Sequence, residues 1–162
     1  MVRNLLLIRH AEAEFPTEKK RDFERSLTTN GQNQGIILST YIKDLPFELD
    51  AIYHSPAQRT LETSRLIVDA LEKVPRFMDA EELYEATGNL MKAFINRLDD
   101  NFQHVAIVAH NPGIAELYSY LTRKFEPYVP ASCAWLECDF ESWSHLSGNT
   151  ANQRDFYYPG QF

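Results

Sequence analysis

Cysteine is scarce: Cys133 and Cys138 are the two in 162 residues. On a strand, side chains five positions apart point to opposite faces, so the pair cannot easily bridge. A disulfide framework and a thiolate zinc site are therefore excluded. Long apolar runs are missing as well. Leu5-Leu6-Leu7-Ile8 is far too short to cross a bilayer, and it runs straight into Arg9-His10 with no small-residue cleavage site behind it. Basic charge is in deficit, with 16 Lys+Arg against 23 Asp+Glu, a net charge of −7 and a pI near 5.2. An acidic balance argues against a general partner in nucleic acid or anionic membrane, because phosphate backbones select basic faces. It leaves room for one small basic pocket, since net charge governs solubility and encounter rather than a site. Repeats and low-complexity tracts are absent too. These absences predict a cytoplasmic protein.

What is present suits one globular domain over residues 1–162, with 44% of the chain apolar. Leu5–Ile8 and His104–Ala109 are continuous apolar runs, the pattern of strands buried on both faces. Asp50–Tyr53 is a shorter third strand, and Trp135–Phe140 roughly alternates, as a half-covered strand does. Helical spacing lies between them. Leu38, Tyr41, Ile42 and Leu45 form one apolar stripe, and Leu61, Ser64, Ile67, Val68 and Leu71 a second. Met91, Phe94, Ile95 and Leu98 form a third, and Ile114, Leu117, Tyr118 and Leu121 a fourth. The polar stretch Glu12–Asn33 reads as a solvated loop leading into the first helix. Strand–helix alternation predicts an α/β three-layer sandwich around a mostly parallel sheet. Ligands of such sheets bind outside the carboxyl ends of the strands.

Two helix starts are signed at that edge. Ser55-Pro56-Ala57-Gln58 reads as a capping box with proline at the first helical position, and Asn111-Pro112 repeats the cap-plus-proline arrangement. Helix starts of this kind favour anions. Arg9-His10 ends the first strand, Arg59 lies in the first turn after Ser55, and His110 ends the strand up to Ala109. Each is weak evidence alone: a capped strand end, or a solvated helix arginine. Four such residues from three separated segments at one predicted edge form a compact cationic pocket. Arginine grips phosphate oxygens in a bidentate way. A neutral histidine beside it can attack phosphorus, and nearby cations lower a histidine's pKa. A metal site at His10 and His110 is disfavoured, because two arginines would repel the cation and no carboxylate is clearly paired with the rings. His54 reads as a half-buried strand-end residue.

The pieces Leu6-Leu7-Ile8-Arg9-His10-Ala11, Ser55-Pro56-Ala57-Gln58-Arg59-Thr60 with Thr63, and Val108-Ala109-His110-Asn111-Pro112-Gly113 resemble the histidine phosphatase superfamily, which includes the cofactor-dependent phosphoglycerate mutases. The superfamily generally has Gly after the motif histidine; Ala11 stands here. Arg-His-Ala resembles the SixA-type phosphohistidine phosphatase branch. So do Asp22-Phe-Glu-Arg25-Ser-Leu27-Thr28 with Gly31, Leu83-Tyr84-Glu85-Ala86, Pro130-Ala131-Ser132-Cys133-Ala134, and Trp143 with Pro159. Ser26 replaces that branch's usual Pro. The short chain lacks room for the mutases' insertions.

The resemblance implies a phosphoglycerate mutase-like fold and a metal-independent phosphatase without a cofactor. His10 would take the phosphoryl group, and Arg9, Arg59 and His110 would hold its oxygens. Glu85 is the proton-donor candidate by position, with Glu81 and Glu82 as neighbours; the bland reading is an acidic helix approach favoured by the dipole. An imidazole leaving group can be protonated from water, whereas an alkoxide needs an acid far more. Asp22 and Arg25 either line the pocket or pair on the surface. The implied partner is a protein carrying phosphohistidine; the alternatives are a small phosphoester or phosphoanhydride, and a phosphate-binding module without turnover.

Overall fold

The structure, a computed structural model, describes residues 2–160. Strands and helices alternate: β1 (Val2–Arg9), α1 (Thr29–Lys43), β2 (Ala51–His54), α2 (Gln58–Ala70), β3 (Arg76–Asp79), α3 (Gly88–Asn96), β4 (His104–Ala109), α4 (Gly113–Thr122), β5 (Cys133–Asp139) and β6 (Ala151–Tyr157). They build a six-stranded sheet in the order β3-β2-β4-β1-β5-β6. The first four strands of that order run parallel, and β5 and β6 add an antiparallel pair beside β1. The fold is the mixed α/β sandwich expected, with two strands, β3 and β6, that the apolar patterning did not reveal.

Alternation along β1 divides the core. Leu5 and Leu7 pack on one face with Met91, Ile95, Ile114 and Leu117 of α3 and α4. Leu6 and Ile8 pack on the other with Leu38 and Ile42 of α1 and Ile67 of α2. Each of these side chains is sealed from water, so truncating one to alanine would cost about 2–5 kcal/mol. Cys133 lies on the second face and Cys138 on the first, both as free thiols. His54 is buried, its Nδ1 donating to Ser55 O at 2.7 Å and its ring against Phe77. No helix among the described residues is long and apolar enough to cross a membrane.

Helix α1 begins inside the polar stretch, at Thr29. The Thr28 hydroxyl caps it, accepting from Gly31 N at 2.9 Å, and donates to Glu12 Oε1 at 2.8 Å. A Cβ on Gly31 would lie 2.0 Å from Glu12 O, so only glycine lets the helix approach the chain leaving β1. The loop before α1 is tied down by an Ala13–Leu27 bridge and carries a single 3-10 turn, Asp22–Glu24.

Candidate active site

Sheet register assembles the site. Arg9 of β1 pairs with Ala109 of β4, and His54 of β2 pairs with Val108. The residues that follow these three strands, His10, His110 and Ser55, therefore leave neighbouring points on one edge. His10 N donates to Ala109 O at 3.2 Å, and Ser55 N to Val108 O at 3.1 Å. The His10 and His110 rings stand 5.4 Å apart between centroids. Arg59, second residue of α2, enters the same edge. His10, His110 and Arg59 are 7%, 7% and 6% exposed, so the three polar groups share a recess rather than a surface.

His10 has a defined tautomer. Its Nδ1 lies 2.7 Å from Ala11 O, a pure acceptor, so Nδ1 carries the hydrogen and Nε2 keeps its lone pair. Burial pushes the imidazole down from 6.5 to about 3; the Ala11 carbonyl opposes this, and His110, Arg59 and Arg9 add to it. The sequence suggested neighbouring cations as the reason for a neutral ring, whereas desolvation is the larger cause. Ala11 holds the following turn, donating from its N to Thr63 Oγ1 at 3.0 Å. Its φ is not positive, so alanine in place of the usual glycine brings no backbone strain.

The capping box at Ser55 does not form. Helix α2 starts at Gln58, and the Gln58 amide donates to Glu62 Oε2 instead of reaching back. The Ser55 hydroxyl lies 2.7 Å from His110 Nε2 and only 3.4 Å from Ala57 N. A hydroxyl accepting weakly from Ala57 N can donate to Nε2, which leaves the ring hydrogen of His110 on Nδ1. Burial and then Arg59 lower the His110 pKa to about 4, with Asp22 opposing. Asn111 does not cap α4 either. Its Nδ2 donates to Tyr128 O at 2.9 Å, the carbonyl that also accepts from Arg9 Nη1 at 2.9 Å.

Asp22 joins these residues. Arg59 donates from Nη1 to Asp22 O at 2.7 Å and from Nη2 to Asp22 Oδ2 at 3.1 Å. Arg25 Nη1 donates to Asp22 Oδ1 at 2.9 Å, and Tyr84 Oη to Asp22 Oδ2 at 2.8 Å. The Tyr84 ring meets His110 edge-on at 5.7 Å. Partial burial favours the neutral acid, but the hydrogen bonds from Arg25 and Tyr84 and the nearby Arg59 outweigh it and hold the Asp22 carboxyl at about 2. Six buried side-chain polar atoms among the described residues lack a hydrogen-bond partner, and Arg9 Nε, Arg59 Nε and His110 Nδ1 are three of them. Buried donors are rarely left unpaired. Unpaired donors of this kind, together with cationic side chains, suit an anion. A cleft of about 350 Å³ opens at Arg9 and His10, bordered by Arg25, Phe15 and Pro130.

Arg9, His10, Arg59 and His110 thus meet as the sequence suggested. Glu85 is brought to the rim but not into the recess. It is exposed on the turn beside Tyr84, with a left-handed φ of 55°. Glu81 and Glu82 are exposed as well, and Glu82 pairs with Arg97. Ser55 as the partner of His110, and Tyr128 as the anchor of Arg9 and Asn111, are contributors the sequence reading missed. No local signal marks Tyr128, because its carbonyl rather than its side chain does the holding. Among the described residues, no group of three or more His, Cys, Asp or Glu could hold a metal ion.

The architecture around this recess recurs in solved structures. SixA of Nakamurella multipartitia superposes with a TM-score of 0.84 at 22% identity, covering 99% of this chain and 98% of that one. SixA of Agrobacterium tumefaciens gives 0.81 at 22% identity, with 98% and 99% covered. The protein histidine phosphatase SixA complexed with tungstate gives 0.81 at 20% identity, with 96% and 97% covered. No curated protein matches the chain. The family model of the histidine phosphatase superfamily (branch 1) matches residues 5–87, a span that begins in β1 and carries Arg9, His10, Ser55 and Arg59. With more than half its length under that model and its first motif histidine at the end of β1, this chain belongs to the histidine phosphatase superfamily.

Proposed function

We propose that this protein is a metal-independent phosphatase in which His10 is the nucleophile, and that its substrate is phosphohistidine on a protein. The observation that carries the reading is the His10 tautomer: Nδ1–H is spent on Ala11 O, so an uncharged Nε2 lone pair remains in a recess with two arginines. Nε2 attacks phosphorus, the substrate's N–P bond breaks, and the departing imidazole nitrogen takes a proton from water. The hydroxide left by that water then attacks phospho-His10, so one water is consumed overall. The His10–P bond breaks with its electron pair returning to Nε2, which releases inorganic phosphate and restores the neutral ring. Arg9, Arg59 and His110 hold the three oxygens over which charge spreads.

The leaving group favours phosphohistidine over a phosphoester. Asp22, the carboxylate bound to Arg59, is ionised at neutral pH and cannot serve as an acid. An imidazole leaves without strong acid assistance; an alkoxide does not. A small-phosphoester reading draws on Glu85, which stands one residue from Tyr84 at the rim. On that reading Glu85→Gln damages hydrolysis of sugar phosphates and spares phosphohistidine.

The test offers the purified protein a phosphohistidine-bearing carrier protein and a panel of sugar phosphates, with mass spectrometry for phosphate on His10. The expected result is turnover of phosphohistidine, a trapped phosphate on His10, and loss of both in His10→Ala. Turnover that survives His10→Ala, or tight phosphopeptide binding without hydrolysis, would overturn the proposal.

A further inference from the structure

We propose that Asp22 is the positioning residue of the anion site and acts through Arg59. The inference rests on the reading of Arg59 as a phosphate ligand. An exposed aspartate beside an arginine is usually of small consequence. This pair is unequal: the Asp22 side chain is 45% exposed, and the Arg59 side chain 7%. Arg59 cannot turn to water for its hydrogen bonds, so its orientation depends on what the protein provides. Asp22 provides two acceptors from one residue, its main-chain carbonyl to Nη1 and its Oδ2 to Nη2. These two bonds fix the plane of the guanidinium, and Nε remains unpartnered for a ligand oxygen.

The carboxylate is itself held from other directions. Arg25 binds Oδ1, and the Tyr84 hydroxyl binds Oδ2. Tyr84 also lies edge-on against His110, so the same carboxylate steadies a neighbour of the second imidazole. Asp22 sits on the 3-10 turn of the loop before α1 and bridges 37 positions to Arg59. Its role is to present Arg59 to the oxygens that gain charge in the transition state, without touching them.

A double-mutant cycle separates this role from a loop-stabilising one. Wild type, Asp22→Ala, Arg59→Ala and the double variant are compared for kcat and KM on phosphohistidine and p-nitrophenyl phosphate, and for binding of inorganic phosphate. Thermal unfolding confirms that each is folded, and Asp22→Asn serves as a second variant that keeps the side-chain volume. Asp22→Ala should lower kcat/KM by about 10- to 100-fold, mainly in kcat, the scale of a charge-assisted hydrogen bond. In the Arg59→Ala background the same substitution should change kcat/KM less than about 2-fold, because the residue it acts through is gone. Asp22→Glu should restore part of the loss. Equal effects of Asp22→Ala in both backgrounds, or none in the wild type, would overturn the inference while leaving the phosphatase reading intact. A wild type that neither turns over these substrates nor binds phosphate would overturn both.

Discussion

His10→Asn interrogates the central imidazole through folding stability alone. The asparagine amide nitrogen can take the place of Nδ1, so the 2.7 Å bond to Ala11 O is kept while the titrating ring is lost. In the folded protein burial holds His10 near 3, against 6.5 for a free histidine. The unfolded chain therefore takes up this proton near pH 6.5, and the native state takes it up only near pH 3. The stability that His10 contributes is complete above pH 6.5 and is lost as pH falls toward 3, at about 1.4 kcal/mol per pH unit. Over the whole window that is about 5 kcal/mol, against a total stability of about 5–15 kcal/mol for a domain. His110, lowered to about 4, acts in the same direction between pH 6.5 and 4. Asp22, lowered from 3.8 to about 2, enters only below pH 4, where its protonation removes stability. Urea unfolding between pH 7.5 and 4.5 measures the effect. The wild type should lose stability steeply below pH 6.5, and the variant should lose about 3 kcal/mol less across that range. Parallel curves for the two proteins would refute the placement of a buried neutral imidazole at residue 10.

Gly113→Ala should destabilise the protein by about 2 kcal/mol or more, because the new Cβ would lie 2.0 Å from Ala86 O and 2.8 Å from Met91 Cε, and a backbone oxygen cannot yield; denaturant unfolding reads it. Arg3→Met should cost about 3 kcal/mol in chemical unfolding and spare activity at a permissive temperature. Arg3 is buried, donates to the carbonyls of Phe140, Asp100, Phe102 and Glu141, and lies over Trp143 at 5.4 Å, so its loss strands four acceptors far from the recess. Ser55→Ala should lower kcat/KM about 10-fold by releasing His110 Nε2 from its 2.7 Å partner, with steady-state kinetics on phosphohistidine as the check.

The four central residues were legible because a parallel sheet converts sequence order into place. A residue that follows a strand lands on the carboxyl edge, and the Arg9–Ala109 register sets His10 beside His110. The strands that escaped notice are the two edges of the sheet, β3 and β6. Edge strands pair on one side only and need no continuous apolar run, so Asn152, Gln153, Arg154 and Asp155 of β6 hide its period. At Ser55 a sound local pattern lost to a tertiary contact: the hydroxyl that would cap α2 is drawn to His110 across 55 positions. Asp22 was visible as a residue but not as a link to Arg59, since an ion pair over 37 positions leaves no trace in spacing.

The electrostatics of the recess divide the chemical labour. Were the arginines the main reason for a neutral His10, grip on the anion and readiness of the nucleophile would be one property, and losing Arg59 would forfeit both. Burial comes first instead, with Arg59 and Arg9 as smaller contributions. The ring therefore owes its uncharged state first to burial, and it stays uncharged at neutral pH without a guanidinium. On the proposed mechanism, loss of turnover on removing Arg59 then reports on the phosphoryl oxygens, not on the protonation of His10. Asp22 fits the same division: it is a fixed negative charge that orients one guanidinium, while His10 owes its neutrality to the packed edge of the sheet.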